Sequence, residues 1–388
     1  MAGAPARPTV VVAGAGAAGT LSAVHLVRTA SRRATALDIL LVDPVDRWAR
    51  GVAFGTPDEA HLLNVPASGM SALPEDPGHF VGWLGRQGDG VVVDPNAFVP
   101  RRRFALYLDD VLTRELAAAE GLVSLKHLRS EATGVVRTAK GWAVVTRAGS
   151  LVEADGVVVA TGLPQVGSHW APPSLLESPF FVADPWAPGA LDVVRRARSG
   201  PADVLVVGTG LTMVDVVLSL SAEGNRPDRL LHAVSRNARL PRRHLKEPKL
   251  AATPDIGDWG TDLAGMLERS ERHLHDVRAA TGDWRPAVDG LRFRLAELWD
   301  RLDEGERATF LTEHAGTWGA LRHRMPPSSH ALMEALQESG RLTLRAGEVV
   351  DAEPLAHGGL RVSLSDGSTR EVGWVVNCTG PRLDVYLQ

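Results

Sequence analysis

The 388-residue sequence contains a single cysteine, Cys378. One thiol excludes an internal disulfide, a Cys-x-x-Cys redox pair and any cysteine-rich zinc or iron–sulfur site. Lysine is also scarce, confined to Lys126, Lys140, Lys246 and Lys249, so arginine supplies nearly all of the 42 basic side chains. Against 46 acidic residues the formal charge is −4, which gives no general attraction for nucleic acid or an anionic lipid surface. No apolar run reaches the ~20 residues of a membrane span. The N-terminus passes directly into Thr9-Val-Val-Val-Ala13, too short and too β-branched for the core of a secretion signal, and a cytoplasmic location is expected. The Gly-x-Ser-x-Gly elbow, the Gly-x4-Gly-Lys-Ser/Thr loop and the His-Glu-x-x-His pair are all missing, and with them the signatures of hydrolase, P-loop and zincin chemistry. His273-Leu-His275 offers no metal site, because positions i and i+2 of a helix do not share a face, and no metal is expected.

What is present reads as strand, turn and helix, twice. Hydrophobic residues make up 44% and charged ones 23%, the balance of a globular protein long enough for two or three domains. The run Thr9 to Ala13 leads into Gly14-Ala-Gly16-Ala-Ala-Gly19 and then into apolar residues at helical spacing, Leu21, Val24 and Val27. Asp38-Ile-Leu-Leu-Val-Asp43 completes a βαβ unit. Ala202-Asp-Val-Leu-Val-Val-Gly208-Thr-Gly210-Leu-Thr-Met-Val-Asp215 repeats the pattern and leads to Leu230-Leu-His-Ala-Val-Ser235. Each unit is followed at a distance by alternating short strands that close on a Thr-Gly pair, Thr161-Gly162 in one and Thr379-Gly380 in the other, which predicts a β-meander after each. Residues 166–200, rich in Pro and Trp, are expected to form an ordered linker. Leucines 291, 295, 298 and 302 predict a helical insertion over residues 237–339.

Strand, Gly-x-Gly-x-x-Gly and helix together form the pattern of a dinucleotide-binding turn. Gly14 permits the tight turn, Gly16 lets the backbone approach a pyrophosphate, and Gly19 lets the helix pack close on the sheet. The backbone of Ala15, Ala17 and Ala18 then meets the phosphates at the positive end of the helix. Asp43, ending the next strand, suits the adenosine ribose hydroxyls. In the second copy Gly208, Thr209 and Gly210 are kept, while Met213 takes the third glycine's place. After its second strand the acidic position is replaced by Ser235-Arg236, with Arg239, Arg242 and Arg243 close by. An acid there would repel a 2′-phosphate, whereas Ser and Arg donate hydrogen bonds to one, which favours NADPH over NADH. The same basic stretch also suits a solvated surface.

Further motifs carry a family resemblance: Gly51-Val-Ala-Phe-Gly55, His61-Leu-Leu-Asn-Val-Pro66, Pro100-Arg-Arg-Arg103 with Tyr107-Leu108, Ala160-Thr-Gly162, Asp184-Pro-Trp186 and Arg322-His-Arg-Met-Pro326. With the two glycine turns they make almost the whole chain resemble the two-dinucleotide-domain flavoproteins, and more narrowly the FAD/NAD(P)-binding protein family related to flavin-dependent N-hydroxylating monooxygenases. The resemblance implies an α/β fold of two Rossmann-like dinucleotide-binding domains, glutathione-reductase-like, with β-meanders and a helical insertion. It implies FAD at the first site, NADPH at the second, and Thr161-Gly162 at the junction between them. On that pattern residues 1–165 and 340–388 form the FAD-binding domain, residues 166–236 the NADPH-binding core, and residues 237–339 an insertion on the substrate side. In related flavoproteins the second Thr-Gly is followed by a segment that returns to the flavin. Here the sequence ends at Gln388, so the C-terminal part of the FAD domain is expected to be incomplete.

The resemblance also places Asn64 beside the flavin, as a neutral hydrogen-bonding group; the alternative is that it orders its own loop. Arg102, in the arginine run that opens a helix, either reaches the FAD phosphates or is solvated. Trp318, Arg322 and Arg324 suit a substrate carboxylate, or else the arginines pair with neighbouring acids. The expected activity is reduction of FAD by NADPH, followed by oxygenation of a small amine or amino acid, chemistry that the cofactor carries without an acid–base or nucleophilic constellation. Two other readings stay open: a non-catalytic dinucleotide-binding sensor or assembly subunit, and an NADPH dehydrogenase without flavin.

Overall fold

The computed structural model describes residues 7–88, 93–139, 141–163, 166–222 and 226–380, which divide into two compact units meeting in sequence near residue 165. In the first unit β1 (Thr9–Ala13), α1 (Ala17–Arg32) and β2 (Leu37–Val42) form the expected βαβ start. α2 (His79–Gln87) and α3 (Arg101–Ala118) lead to β3 (Val123–Leu128). β4 (Ala132–Thr138), β5 (Gly141–Thr146) and β6 (Leu151–Ala154) make an antiparallel meander, and β7 (Gly156–Val159) returns beside β1. The parallel sheet has the order β3-β2-β1-β7. The inner strands β1 and β2 are nearly continuous in Val, Ile and Leu, as strands covered on both faces are, while edge strand β3 carries Ser124, Lys126 and His127. Val12, Ile39 and Leu41 belong to the core shared with Val24 and Leu108 of the helices, while Val11 and Val42 pack with Val144 and Ala154 of the meander.

The second unit opens with α4 (Pro173–Leu176), β8 (Phe181–Val182) and α5 (Ala190–Arg196), followed by β9 (Val204–Val207), α6 (Leu211–Ser221) and β10 (Leu231–Ser235). α7 (Leu263–Thr281), α8 (Arg285–Leu291), α9 (Leu295–Arg301), α10 (Glu304–Thr309) and α11 (Ala315–Arg322) are the helical insertion. α12 (Pro327–Glu338) leads to β11 (Leu342–Ala346). A second antiparallel meander, β12 (Val349–Pro354), β13 (Leu360–Leu364) and β14 (Thr369–Val372), precedes β15 (Trp374–Asn377). The parallel sheet runs β11-β10-β9-β15-β8. With β8 set aside, this order repeats that of the first unit strand for strand, each meander falling between the corresponding strands.

That repetition corrects two expected boundaries. Residues 340–380 do not join the first domain: β11 pairs with β10, and β15 pairs with β9 along its whole length. Without β15 the strand Val204–Val207, 7% exposed or less at every residue, would lose its inner neighbour. The remainder of that expected segment, residues 381–388, lies outside the described residues. The insertion is also shorter than expected. α12 packs on α6 and feeds β11 as α3 packs on α1 and feeds β3, so it belongs to the sheet-and-helix core and the inserted part is residues 237–326.

The linker is ordered by one buried amide. Asn377, 0% exposed, donates to the carbonyls of Gly167 and Ala183 (3.0 Å each), and its oxygen accepts from Trp170 Nε1 (3.2 Å) and the Thr379 N–H (3.1 Å). The insertion has a core of its own, Ile256, Trp259, Leu263, Met266, Leu291, Leu298 and Leu302, on which Trp318 packs. No described helix is long and apolar enough to cross a membrane.

Candidate functional site

At the end of β1 the chain turns through Gly14, with φ +103° and its N–H donating to the Val42 carbonyl (2.9 Å). A Cβ at Gly14 would fall 2.3 Å from the Ala160 oxygen, so the end of β7 approaches this close only because position 14 lacks a side chain. Thr161 and Gly162 follow directly, both exposed. A Cβ at Gly19 would stand 1.8 Å from the Gly14 oxygen, which makes glycine obligatory in the first turns of α1. Gly16 caps α1 without a side chain, so no side-chain acceptor occupies the N–H groups of Ala17 and Ala18. Backbone donors at a helix start with no side-chain cap are what a pyrophosphate needs.

Asp43 is built into this turn. Its Oδ2 accepts from the Ala15 N–H and its Oδ1 from the Val45 N–H, both at 2.8 Å. A carboxylate oxygen has two lone pairs, so each keeps capacity for a ribose hydroxyl. The loop after β2 is clipped to the same place, the Ala49 N–H donating to the Ala15 carbonyl (2.7 Å). Asn64 lies half-buried in a loop sewn to the start of α3: the flanking Leu63 and Ala67 donate to Val99 and Ala97 (2.9 Å each), and the Arg101 N–H donates to His61 (2.8 Å). Arg102, about half exposed, is ion-paired through Nε with Glu59 of that loop.

The second unit repeats the turn almost atom for atom. Gly208 has φ +108° and donates to the Val234 carbonyl (2.8 Å), and a Cβ there would fall 2.4 Å from the Cys378 oxygen. Thr379-Gly380 thus stands to Gly208 as Thr161-Gly162 stands to Gly14. Met213, fully buried, fills the position of the third glycine. Burial, with the Asp215 carboxylate adding to it, pushes the Cys378 thiol well above its usual pKa.

Thr209 and Ser235 bridge the two strand ends. Thr209 Oγ1 donates to the Arg239 carbonyl (2.7 Å), which uses its only proton, so the Ser235 hydroxyl 2.9 Å away donates to Thr209. Ser235 Oγ also accepts from the Ala238 N–H (3.0 Å). Ser235 therefore shapes the loop, and its proton is not aimed at a ligand as the sequence pattern suggested. Arg236 is exposed and has no ion-pair partner among the described residues.

A cavity of about 380 Å³ opens in front of this turn. Thr209, Gly210, Leu211 and Thr212 form one side, and Gly316, Gly319, Ala320 and His323 of α11 and its end form another. Ser235, Arg236, Asn237, Arg239 and Pro241 complete the lining, which contains two arginines, a histidine and no carboxylate. Such a surface favours an anion. Gly210 caps α6 without a side chain, and a Cβ there would meet nothing within 4 Å, so the helix start opens on free space. The residues fit a phosphorylated nucleotide. α11 as a wall was missed by sequence reasoning, although the spacing 316, 319, 320, 323 puts these four on one helix face.

The other candidates separate. Trp318 belongs to the insertion core, and Arg324, 4% exposed, grips Asp289 through both Nη atoms (3.1 Å for Nη1) beneath the Trp284 ring. Arg322 is half-buried and has no ion-pair partner among the described residues; burial, with Arg292 near it, lowers its pKa. Burial and the adjacent Arg322 also lower that of His323.

Two parallel sheets of matching order, each opening at its strand ends on a glycine turn, define the fold of the two-dinucleotide-domain flavoproteins. Residues 11–164 match the sequence profile of a family described as FAD-NAD(P)-binding. No curated protein matches the sequence. In structure the chain is similar to the FAD-bound cadaverine monooxygenase of desferrioxamine biosynthesis from Erwinia amylovora, at 14% identity and TM-score 0.56, over 97% of this chain and 79% of that one. It is similar to L-lysine 6-monooxygenase from Pseudomonas syringae, at 16% identity and TM-score 0.55, over 97% and 81%. The reduced ornithine hydroxylase from Pseudomonas aeruginosa stands at 15% and 0.55, over 97% and 82%. At these identities what is shared is the fold.

Proposed function

We propose that this protein is an FAD-dependent oxidoreductase that uses NADPH and oxygenates the nitrogen of a small amine or amino acid. The observation that carries the nucleotide part is the cavity of the second unit, where an open helix start faces arginines and no acid. The amine class is supported by the three structural neighbours, which act on cadaverine, lysine and ornithine.

When bound, the two cofactors supply hydride transfer from NADPH to FAD and the reaction of reduced flavin with oxygen. The chain's part is to hold and orient. In the first unit the backbone of Gly14 to Gly19 would receive the FAD pyrophosphate and Asp43 the ribose, with Thr161 and Gly162 closing over Gly14. Asn64 would be the flavin-side hydrogen-bonding group, and Arg102, its Nε paired with Glu59, would offer its Nη atoms to the phosphates. In the second unit Gly208, Thr209 and Gly210 would hold the NADPH pyrophosphate and Arg236 the 2′-phosphate, while Ser235 keeps the loop in shape. Arg322 is the group available for a substrate carboxylate.

The test is the visible spectrum of the purified protein, supplemented with FAD, before and after anaerobic NADPH. A flavin spectrum that bleaches with NADPH supports the reading. A protein that stays colourless after FAD addition overturns it and leaves a nucleotide-binding protein without flavin.

A further inference from the structure

The insertion does more in the structure than border a substrate. α11 presents Gly316, Gly319 and Ala320 to the nucleotide cavity from the side opposite the Gly208–Gly210 turn. A Cβ at Gly316 would meet nothing within 4 Å, and one at Gly319 only His323 Nδ1 at 3.9 Å, so packing does not require either glycine. Neither has positive φ, so backbone conformation does not require them either. Glycine inside a helix costs about 1 kcal/mol relative to alanine. Two such positions, three residues apart and both bare toward a cavity lined by arginines, are accounted for by what the cavity admits.

The helix is also held at a fixed distance. Arg239 Nη1 donates to Thr317 Oγ1 (2.6 Å), while the Arg239 carbonyl accepts from Thr209 on the opposite wall (2.7 Å). The Arg242 N–H donates to the Ala320 carbonyl (3.2 Å), and the Met325 N–H donates back to Arg242 (2.8 Å). One residue, Arg239, therefore bonds both walls.

We propose that α11 is the second wall of the nicotinamide dinucleotide site, that Gly316 and Gly319 keep it bare so that a phosphorylated dinucleotide lies between it and the Gly208–Gly210 turn, and that Arg239 is a positioning residue that sets the gap. This rests on the NADPH reading of the site and assigns the insertion to cofactor selection. It also gives the neighbouring arginines different tasks: Arg236 reads the 2′-phosphate, and Arg239 spans the walls.

The test measures dissociation constants of NADP⁺ and NAD⁺ by calorimetry on the full chain, with flavin content and melting temperature as controls. Gly319→Leu and Gly316→Leu should each weaken both nucleotides by the same factor, at least about tenfold, because the new side chains occupy the gap whatever the ribose carries. Arg239→Ala should likewise weaken both alike. Gly316→Leu keeps the test independent of folding, since its side chain starts in open space. Unchanged NADP⁺ binding in Gly316→Leu with an unchanged melting temperature overturns the wall. A loss in Arg239→Ala confined to NADP⁺ overturns the positioning role and makes Arg239 a phosphate ligand. A parent protein that binds neither nucleotide overturns the underlying reading of the site, an outcome distinct from variants that bind as the parent does.

Discussion

Replacing Arg236 by alanine should convert an NADPH-preferring site into an indifferent one. The side chain is exposed and bonds to no described neighbour, so its loss leaves the fold intact. A charge-assisted hydrogen bond to the 2′-phosphate contributes about 1.5–3 kcal/mol, or roughly 10- to 100-fold in affinity. Exposure and salt screening place the effect at the lower end, about tenfold at physiological ionic strength and more in dilute buffer. NAD⁺, lacking the phosphate, should change less than about twofold. Ser235→Ala supplies the contrast, because its proton goes to Thr209 and its oxygen to the Ala238 N–H, so removing it loosens the loop for both nucleotides alike. The assay is titration of both nucleotides at two ionic strengths, with flavin reduction rates against concentration alongside. Equal losses of NADP⁺ and NAD⁺ in Arg236→Ala, or a selective loss in Ser235→Ala instead, would refute the assignment.

Both glycine turns were legible because their spacing answers to backbone geometry that no other residue satisfies. The structure shows why at Gly14 and Gly208, where positive φ coincides with a carbonyl oxygen within 2.4 Å of a would-be Cβ. The repeated meanders were equally legible from alternation and Thr-Gly endings. Their ownership was not, because strand pairing is non-local: nothing within Leu342–Ala346 says that β10 lies beside it. The internal repeat, followed strictly, assigns residues 340–380 to the second unit; the family pattern pulled them to the first. Side-chain roles were the least legible. Ser235 has the right chemistry for a phosphate, but its single proton is claimed by Thr209, a fact of distance and not of residue type. Trp318 and Arg324 likewise could be resolved only by what they touch.

Three further outcomes follow from the same geometry. Gly19→Ala should unfold or displace α1 in the first unit, because its Cβ would stand 1.8 Å from the Gly14 oxygen; a flavin content and melting temperature equal to the parent's would count against the obligatory glycine. Cys378 should resist alkylation in the native state and react once the protein is unfolded. Since its folded pKa is raised, the unfolded chain ionises first as pH climbs through about 8.5, so this residue's contribution to stability is full below that pH and falls above it. Cys378→Ala should remove that alkaline loss; its persistence unchanged would assign it elsewhere. Finally, residues 166–380 should fold without the rest of the chain. They hold a complete five-stranded sheet and a core in which Leu205, Val207 and Val234 pack with Val349, Leu360, Val362, Val372 and Val375. Ending the fragment at residue 339, where the family pattern draws the boundary, removes β11 and β15, the neighbours of β10 and β9, together with seven residues of that core. At about 1.5–3 kcal/mol for each buried large apolar side chain, losing the six large ones forfeits roughly 9–18 kcal/mol, as much as the 5–15 kcal/mol by which domains are ordinarily stable. The longer fragment should therefore melt cooperatively and bind NADP⁺, and the shorter should show neither, by circular dichroism and calorimetry. A folded 166–339 fragment, or an unfolded 166–380, would contradict the pairing that makes the second unit whole.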